Sequence, residues 1–285
     1  MEKIQSAIEK ARAARSAPAT EASAPVPTPT AAVVGPKAAP TILAATPATA
    51  AAWEALPSFA ADAARLRASR IVAFAGGVEA VTFDVMRTKV IQQMRANGWR
   101  RLAITSPTPS CGKSTIALNL AFSLARQKEL RTILAELDLR RPALAKMLGL
   151  RGRTGFSQVL EGQADFADCA QRYGGGLALA LNDGPVRNPA ELLQASPVAG
   201  ALATIEAHYN PDILLFDMPP MLVSDDTMAF IGQVDAVLLV AAAETTTIKE
   251  VDACERELAS QTNVMGVVLN KCRYMGADYG YSYYG

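Results

Sequence analysis

Apolar residues gather in short unbroken runs along most of the chain: RLAITS at 101–106, TILAEL at 132–137, LALAL at 177–181, DILLFD at 212–217, AVLLVAA at 236–242 and VMGVVLN at 264–270. Runs this short, without polar alternation, are the pattern of strands buried on both faces. Helical stretches separate most of them, at 113–127, 189–207 and 247–260. Upstream, Phe83, Met86, Val90, Ile91 and Met94 share one face of a helix that Asn97-Gly98 ends. Strands alternating with helices predict an α/β fold, a mostly parallel central sheet flanked by helices. No internal repeat is visible.

Ahead of this region the pattern dissolves. Residues 1–15 carry charges spaced as in a short exposed helix, and the sequence then turns to Ala, Thr and Pro, with Pro18, Pro25, Pro27, Pro29, Pro36, Pro40 and Pro47. Such a stretch buries too little surface to offset its ordering entropy. The expected organisation is a helix at 1–15, a largely disordered Ala/Pro-rich linker at 16–70, a globular domain at 71–270 and a tail at 271–285.

Composition narrows the function classes. Of 285 residues half are apolar, and the formal charge is +1, so no electrostatic reason exists to expect a nucleic acid partner. Cys111, Cys169, Cys254 and Cys272 are far apart and form no C-x-x-C, which argues against zinc and fits reduced thiols in a cytoplasm. The charged N-terminus is not an export signal, and the longest uncharged run, Ala38 to Trp53, is too weakly apolar to span a bilayer. The expected location is cytoplasmic, with any membrane role supplied by a partner.

The chemistry sits in TSPTPSCGKST at 105–115, which follows a strand and runs into the helix KSTIALNLAFSLARQ. That is the context of a phosphate-binding loop, although Pro107 stands where the common pattern has its first glycine. Pro107 and Pro109 have no N–H, so the donors for phosphate must come from Ser110, Cys111, Gly112, Lys113, Ser114 and Thr115 and from the positive end of the helix. Lys113 suits the β- and γ-phosphates of a nucleotide, and the Ser114 hydroxyl suits Mg²⁺. Cys111, inside the loop, reads as a small residue that fits. Two further acids stand at the carboxyl ends of strands, Asp138 in ILAELDLRRP and Asp217 in ILLFDMPP, where open α/β sheets bind ligands. Asp217 is placed like a Walker B acid toward a metal, Asp138 converges as a second acid, and Arg140 can offset charge on phosphate or acceptor.

The loop, the [apolar]-D-x-D-x-R pattern ending at Arg140, the D-x-P-P of Asp217, NPAELL at 188–193 and VSDDT at 223–227 together resemble the bacterial protein-tyrosine kinases of capsule and exopolysaccharide synthesis, over roughly Val81 to Gly285. The resemblance implies a P-loop NTPase fold of the SIMIBI type, ATP and Mg²⁺ as cofactors, and autophosphorylation in trans on a tyrosine-rich tail. It also implies a membrane polysaccharide co-polymerase, or chain-length regulator, as adaptor at the inner membrane, a cognate phosphotyrosine phosphatase, and a homo-oligomer. Tyr274, Tyr279, Tyr281, Tyr283 and Tyr284 match the tail, where aromatic side chains have no core to enter.

Two positions depart from the family. Glu136 stands where members usually carry the Asp expected to deprotonate the acceptor or organise Mg²⁺, so a Glu136→Asp change is expected to leave or raise activity. The oligomerisation pattern E-x-x-R-x-x-R would fall on Val81, Asp84 and Arg87, of which Arg87 alone matches. Asn270, ending the last strand, resembles the amide that reads the base in related NTPases, or closes a turn. The competing readings are a switch ATPase like the chromosome-partitioning and division-site proteins, whose signature lysine would replace Thr108, and a nucleotide-gated scaffold of a polysaccharide export system that transfers nothing.

Overall fold

The structure, a computed structural model, describes residues 46–150 and 154–273. The expected helix at 1–15, most of the Pro-rich segment and the tail tyrosines lie outside these residues. Seven strands form one sheet: β1 (Arg101–Thr105), β2 (Thr132–Glu136), β3 (Ala170–Tyr173), β4 (Leu177–Ala180), β5 (Ile213–Asp217), β6 (Ala236–Ala242) and β7 (Asn263–Asn270), in the order β3-β4-β2-β5-β1-β6-β7. Every neighbouring pair is parallel except β3 and β4. β2, β4, β5 and β6 are buried throughout, as their unbroken apolar runs require.

Apolar side chains alternate to the two faces of the sheet and build a core on each. One core joins Phe216, Val237 and Leu239 to Leu202, Ile205 and Leu258 from helices; the other joins Leu102, Ile104 and Leu215 to Leu118, Phe122 and Met94. The helix Lys113–Ala125 is the centre of the second core, buried from Ile116 to Leu124. Further along, the expected helical stretch 189–207 is two helices, Pro189–Gln194 and Pro197–Tyr209. Pro197 cannot donate a backbone hydrogen bond and therefore starts a new helix.

The sequence placed the linker end too late. The helix Pro47–Glu54 begins at Thr46, whose side chain accepts from the Thr49 N–H, and it carries Trp53, 2% exposed, whose indole N–H donates to the Gly175 carbonyl at 2.9 Å. Leu56, Leu66 and Ile71 are buried as well, Leu66 within the helix Ala63–Ala68 capped by Asp62. A few large apolar residues in an Ala-rich background suffice to fold this stretch onto the domain, and average composition hides them. Asn119 then fastens it to the helix Lys113–Ala125. Its Oδ1 accepts from the Val72 and Ala73 N–H groups at 2.8 and 3.1 Å, and its Nδ2 donates to the Arg70 and Thr115 carbonyls at 2.9 Å.

Register brings the acids together. Ile104 and Glu136 both pair with Asp217 across β1-β5 and β2-β5, so Glu136, Asp217 and the start of the phosphate loop share the carboxyl edge of three adjacent strands. The chain crosses from β1 to β2 past β5, and a crevice at the strand ends is where such sheets take ligands.

Candidate functional site

The loop between β1 and the helix Lys113–Ala125 turns through two residues in the left-handed region, Ser110 at φ 64° and Gly112 at φ 93°. Gly112 has a second reason to lack a side chain: a Cβ there would meet Asn270 Nδ2 at 2.2 Å. That amide donates to the Cys111 carbonyl at 2.8 Å. Asn270 therefore braces the loop through one N–H of its amide. The Cys111 thiol is turned inward, donating to the Thr108 carbonyl at 3.2 Å, with the Thr246 hydroxyl 3.5 Å away. Burial alone would push the thiol up, but hydrogen bonds from Thr246 and Thr108 outweigh it and lower its pKa. Cys111 is thus a packing residue of the loop whose carbonyl is held from behind.

At the mouth of the loop the Lys113 ammonium lies 2.6 Å from Asp138 Oδ2 and 3.8 Å from Asp217 Oδ1. Burial opposes its charge, yet Asp217 and Asp138 more than compensate and raise its pKa. Asp217 is 1% exposed, and neither of its oxygens has a hydrogen-bond partner among the described residues. Burial drives its pKa up, only partly countered by Lys113 and the nearby Ser114 hydroxyl. A buried carboxylate with an ion pair at 3.8 Å but no hydrogen bond costs a protein free energy unless something else satisfies its oxygens. Two acids with a hydroxyl, oxygen ligands at the foot of a phosphate loop, fit Mg²⁺. The residues that would hold it are Ser114, Asp138 and Asp217.

Glu136 has a different occupation. It is wholly buried; Oε1 accepts from the Ala143 and Leu144 N–H groups at 2.6 and 2.8 Å, and Oε2 accepts from Asn182 N–H at 2.9 Å. Burial raises its pKa to about 7 against these three donors, with Asp217 adding to the rise. Its side chain anchors the segment after Asp138 to the end of β2, which changes the expectation drawn from the shorter family residue. Asn182 completes the brace: Nδ2 donates to the Glu136 carbonyl at 2.8 Å and Oδ1 accepts from Ser157 N–H at 2.9 Å.

Arg140 is not aimed at Lys113. Its Nε and Nη2 donate to Asp226 at 2.6 and 2.8 Å, and this pair raises the Arg140 pKa. Asp226 is 0% exposed and also accepts from Ser224 Oγ at 3.0 Å. Sequence reasoning missed Asp226 and Asn182 as supports, though Asp226 stood inside the quoted VSDDT. Arg87, the match to the oligomerisation pattern, is spent within its own helix and core, on Asp84 at 2.9 Å and Ser123 at 3.1 Å. The structure thus brings Lys113, Ser114, Asp138 and Asp217 together, sets Glu136 behind them, and holds Arg140 aside.

A parallel sheet with a phosphate loop at the end of β1, and two acids from neighbouring strands gathered on its lysine, defines a P-loop nucleotide-binding domain. Residues 102–277 match the CobQ/CobB/MinD/ParA nucleotide binding domain, and the chain belongs to that family. It is similar to the tyrosine-protein kinase etk of Escherichia coli strain K12, 32% identical over 195 residues that cover 68% of this chain and 26% of that protein. The solved kinase domain of the Escherichia coli tyrosine kinase ETK aligns with a TM-score of 0.62 at 28% identity, over 71% of this chain and 80% of that one. The VpsO kinase domain gives 0.60 at 30% identity, over 68% and 96%. The chain spans about a quarter of the length of the curated relatives it matches. The fold expected from the sequence is the fold found, and the family resemblance stands. Among the described residues no helix is long and apolar enough to cross a membrane.

Proposed function

We propose that the chain is an ATP-dependent protein-tyrosine autokinase that regulates exopolysaccharide or capsule biosynthesis and export, and that it phosphorylates Tyr274, Tyr279, Tyr281, Tyr283 and Tyr284 in trans. The observation that carries this reading is the Lys113 ammonium held between Asp138 and the buried Asp217, whose oxygens accept no hydrogen bond, at the mouth of the phosphate loop. The likeness to kinase domains supports the reaction class, and the clustering of tyrosines in residues 274–285 supports the choice of acceptors.

In this mechanism the backbone N–H groups from Ser110 to Thr115 cradle the phosphates, and Lys113 leaves Asp138 for the β- and γ-phosphates of ATP. Ser114, Asp138 and Asp217 would hold Mg²⁺, which would supply neutralisation of charge on the phosphoryl group. Asp138, freed from the lysine, takes the phenol proton as the tyrosine oxygen bonds to the γ-phosphorus and the bond to the β-phosphate oxygen breaks. Arg140 offsets charge once it leaves Asp226. The partners proposed are a membrane polysaccharide co-polymerase acting as adaptor, a cognate phosphotyrosine phosphatase and further copies of the chain, with the protein cytoplasmic and peripheral to the inner membrane.

Incubation with radiolabelled ATP and Mg²⁺ tests the reading. Label on protein tyrosine in the wild type, absent in Lys113→Met, is the expected result. Free phosphate alone would make the chain a switch ATPase, no turnover would make it a scaffold, and undiminished label in Lys113→Met would remove the kinase assignment.

A further inference from the structure

The chain is nearly neutral overall, yet one part of its surface is strongly basic. The helix Ala63–Ala68 packs on the helix Leu144–Leu148: Arg65 lies along Gly149 and donates to the Lys146 carbonyl at 3.3 Å, and Ser69 Oγ donates to the Met147 carbonyl at 2.8 Å. Arg65, Arg67 and Arg70 are exposed on and just after the first helix, Lys146 is exposed on the second, and the exposed Arg141 stands three residues ahead of it; the Arg67 guanidinium lies 5.8 Å from the centre of the Phe74 ring. The acid within the first segment, Asp62, is spent capping its own helix. Arg70, Arg141 and Lys146 have no ion-pair partner among the described residues.

We infer that this surface is a docking site for the phosphorylated tail, residues 274–285 carrying phosphotyrosine. The inference rests on the kinase reading for the source of the phosphate, and on the following physical grounds. Guanidinium groups bind phosphate dianions through paired N–H donors, and clustered arginines are the usual receptor for phosphorylated peptides. Tyr279, Tyr281 and Tyr283 recur at every second position, so an extended tail presents three phosphates along one side. The tail follows Arg273 just after β7, and Tyr279 to Tyr283 lie six to ten residues further on, about 20–35 Å of extended chain. A bilayer fits less well, because membrane-binding faces add apolar side chains to their charge, and none of the exposed large apolar residues belongs to either helix. Docking moves the product away from the acids at Lys113, which repel it, and leaves the phosphate loop open for the next turnover.

The test is a titration of the full chain, without ATP, with a synthetic peptide of residues 274–285 phosphorylated at Tyr279, Tyr281 and Tyr283. Because the phosphate is chemically installed, binding is independent of whether the chain is a kinase. The unphosphorylated peptide and vesicles of phosphatidylserine are titrated in parallel. The phosphopeptide is expected to bind, weaken steeply with salt, and lose at least about tenfold in affinity in an Arg67→Glu, Arg70→Glu, Lys146→Glu variant. Retention of nucleotide binding by that variant shows the domain intact. Failure of the phosphopeptide to bind the wild type, equal binding by the variant, or vesicle binding that the variant alone loses while the peptide binds neither, would each overturn the inference.

Discussion

Shortening Glu136 to Asp gives the sharpest check on the site as built. The sequence alone makes this a return to the family residue and so a gain. The structure makes it a loss, because the carboxylate is gripped by three backbone N–H groups at 2.6, 2.8 and 2.9 Å. Removing one methylene withdraws the oxygens by about 1.5 Å, which takes the Ala143 and Leu144 contacts beyond hydrogen-bonding range. Both N–H groups stand at the start of the helix Leu144–Leu148, where no carbonyl of that helix can serve them. Each buried unsatisfied donor costs about 1–3 kcal/mol, and with partial relaxation of the loop we expect a loss of about 3 kcal/mol. Urea denaturation at pH 8, comparing midpoints at constant slope, measures it. Hydrogen exchange at 139–148 should quicken in parallel, and phosphotyrosine labelling should fall because Asp138 loses its support. A Glu136→Asp protein as stable as the wild type, with unchanged exchange and equal or higher labelling, would refute the strut and restore the family reading.

The same carboxyl group predicts a pH dependence. Its pKa is raised from 4.5 to about 7 in the fold, so the neutral form is favoured there, and its stabilising contribution is full below about pH 4.5 and is lost as pH rises through about 7. That amounts to about 3 kcal/mol, and a Glu136→Gln variant followed by denaturation across this range should show a correspondingly shallower decline. At the other end of the domain, Trp53→Ala removes a buried indole and its bond to Gly175. The expected cost is about 3–5 kcal/mol, read by thermal unfolding, and a shift within error would place the helix Pro47–Glu54 outside the cooperative unit.

The strands that carry the site were legible because burial on both faces leaves them no alternation to blur. β5 and β6 in particular are apolar from end to end. The convergence of Lys113, Asp138 and Asp217 was legible because a loop after β1 leads into the helix that begins at Lys113, and the two acids stand at or just past the ends of β5 and β2. What the sequence concealed was commitment. Nothing in ILAELDLRRP shows that Glu136 is consumed by backbone donors seven and eight residues on, or that Arg140 turns to Asp226, 86 residues away in the chain. β3 escaped because AQRY is too short and polar to signal a strand, and it pairs antiparallel at the sheet edge. The helix Pro47–Glu54 escaped because Trp53 alone anchors an otherwise featureless stretch.

Asn119 lies one turn beyond the residues that meet phosphate, and its amide spans two parts of the chain that sequence separates by about fifty positions. A displacement of the turn at residues 70–73 is therefore handed, through one amide, to the Thr115 carbonyl in the first turn of the helix that begins at the phosphate loop. Upstream of that turn the segment has its own moorings, Trp53 on Gly175 and Ser69 on Met147, so a pull from the N-terminal side meets these before it meets the loop.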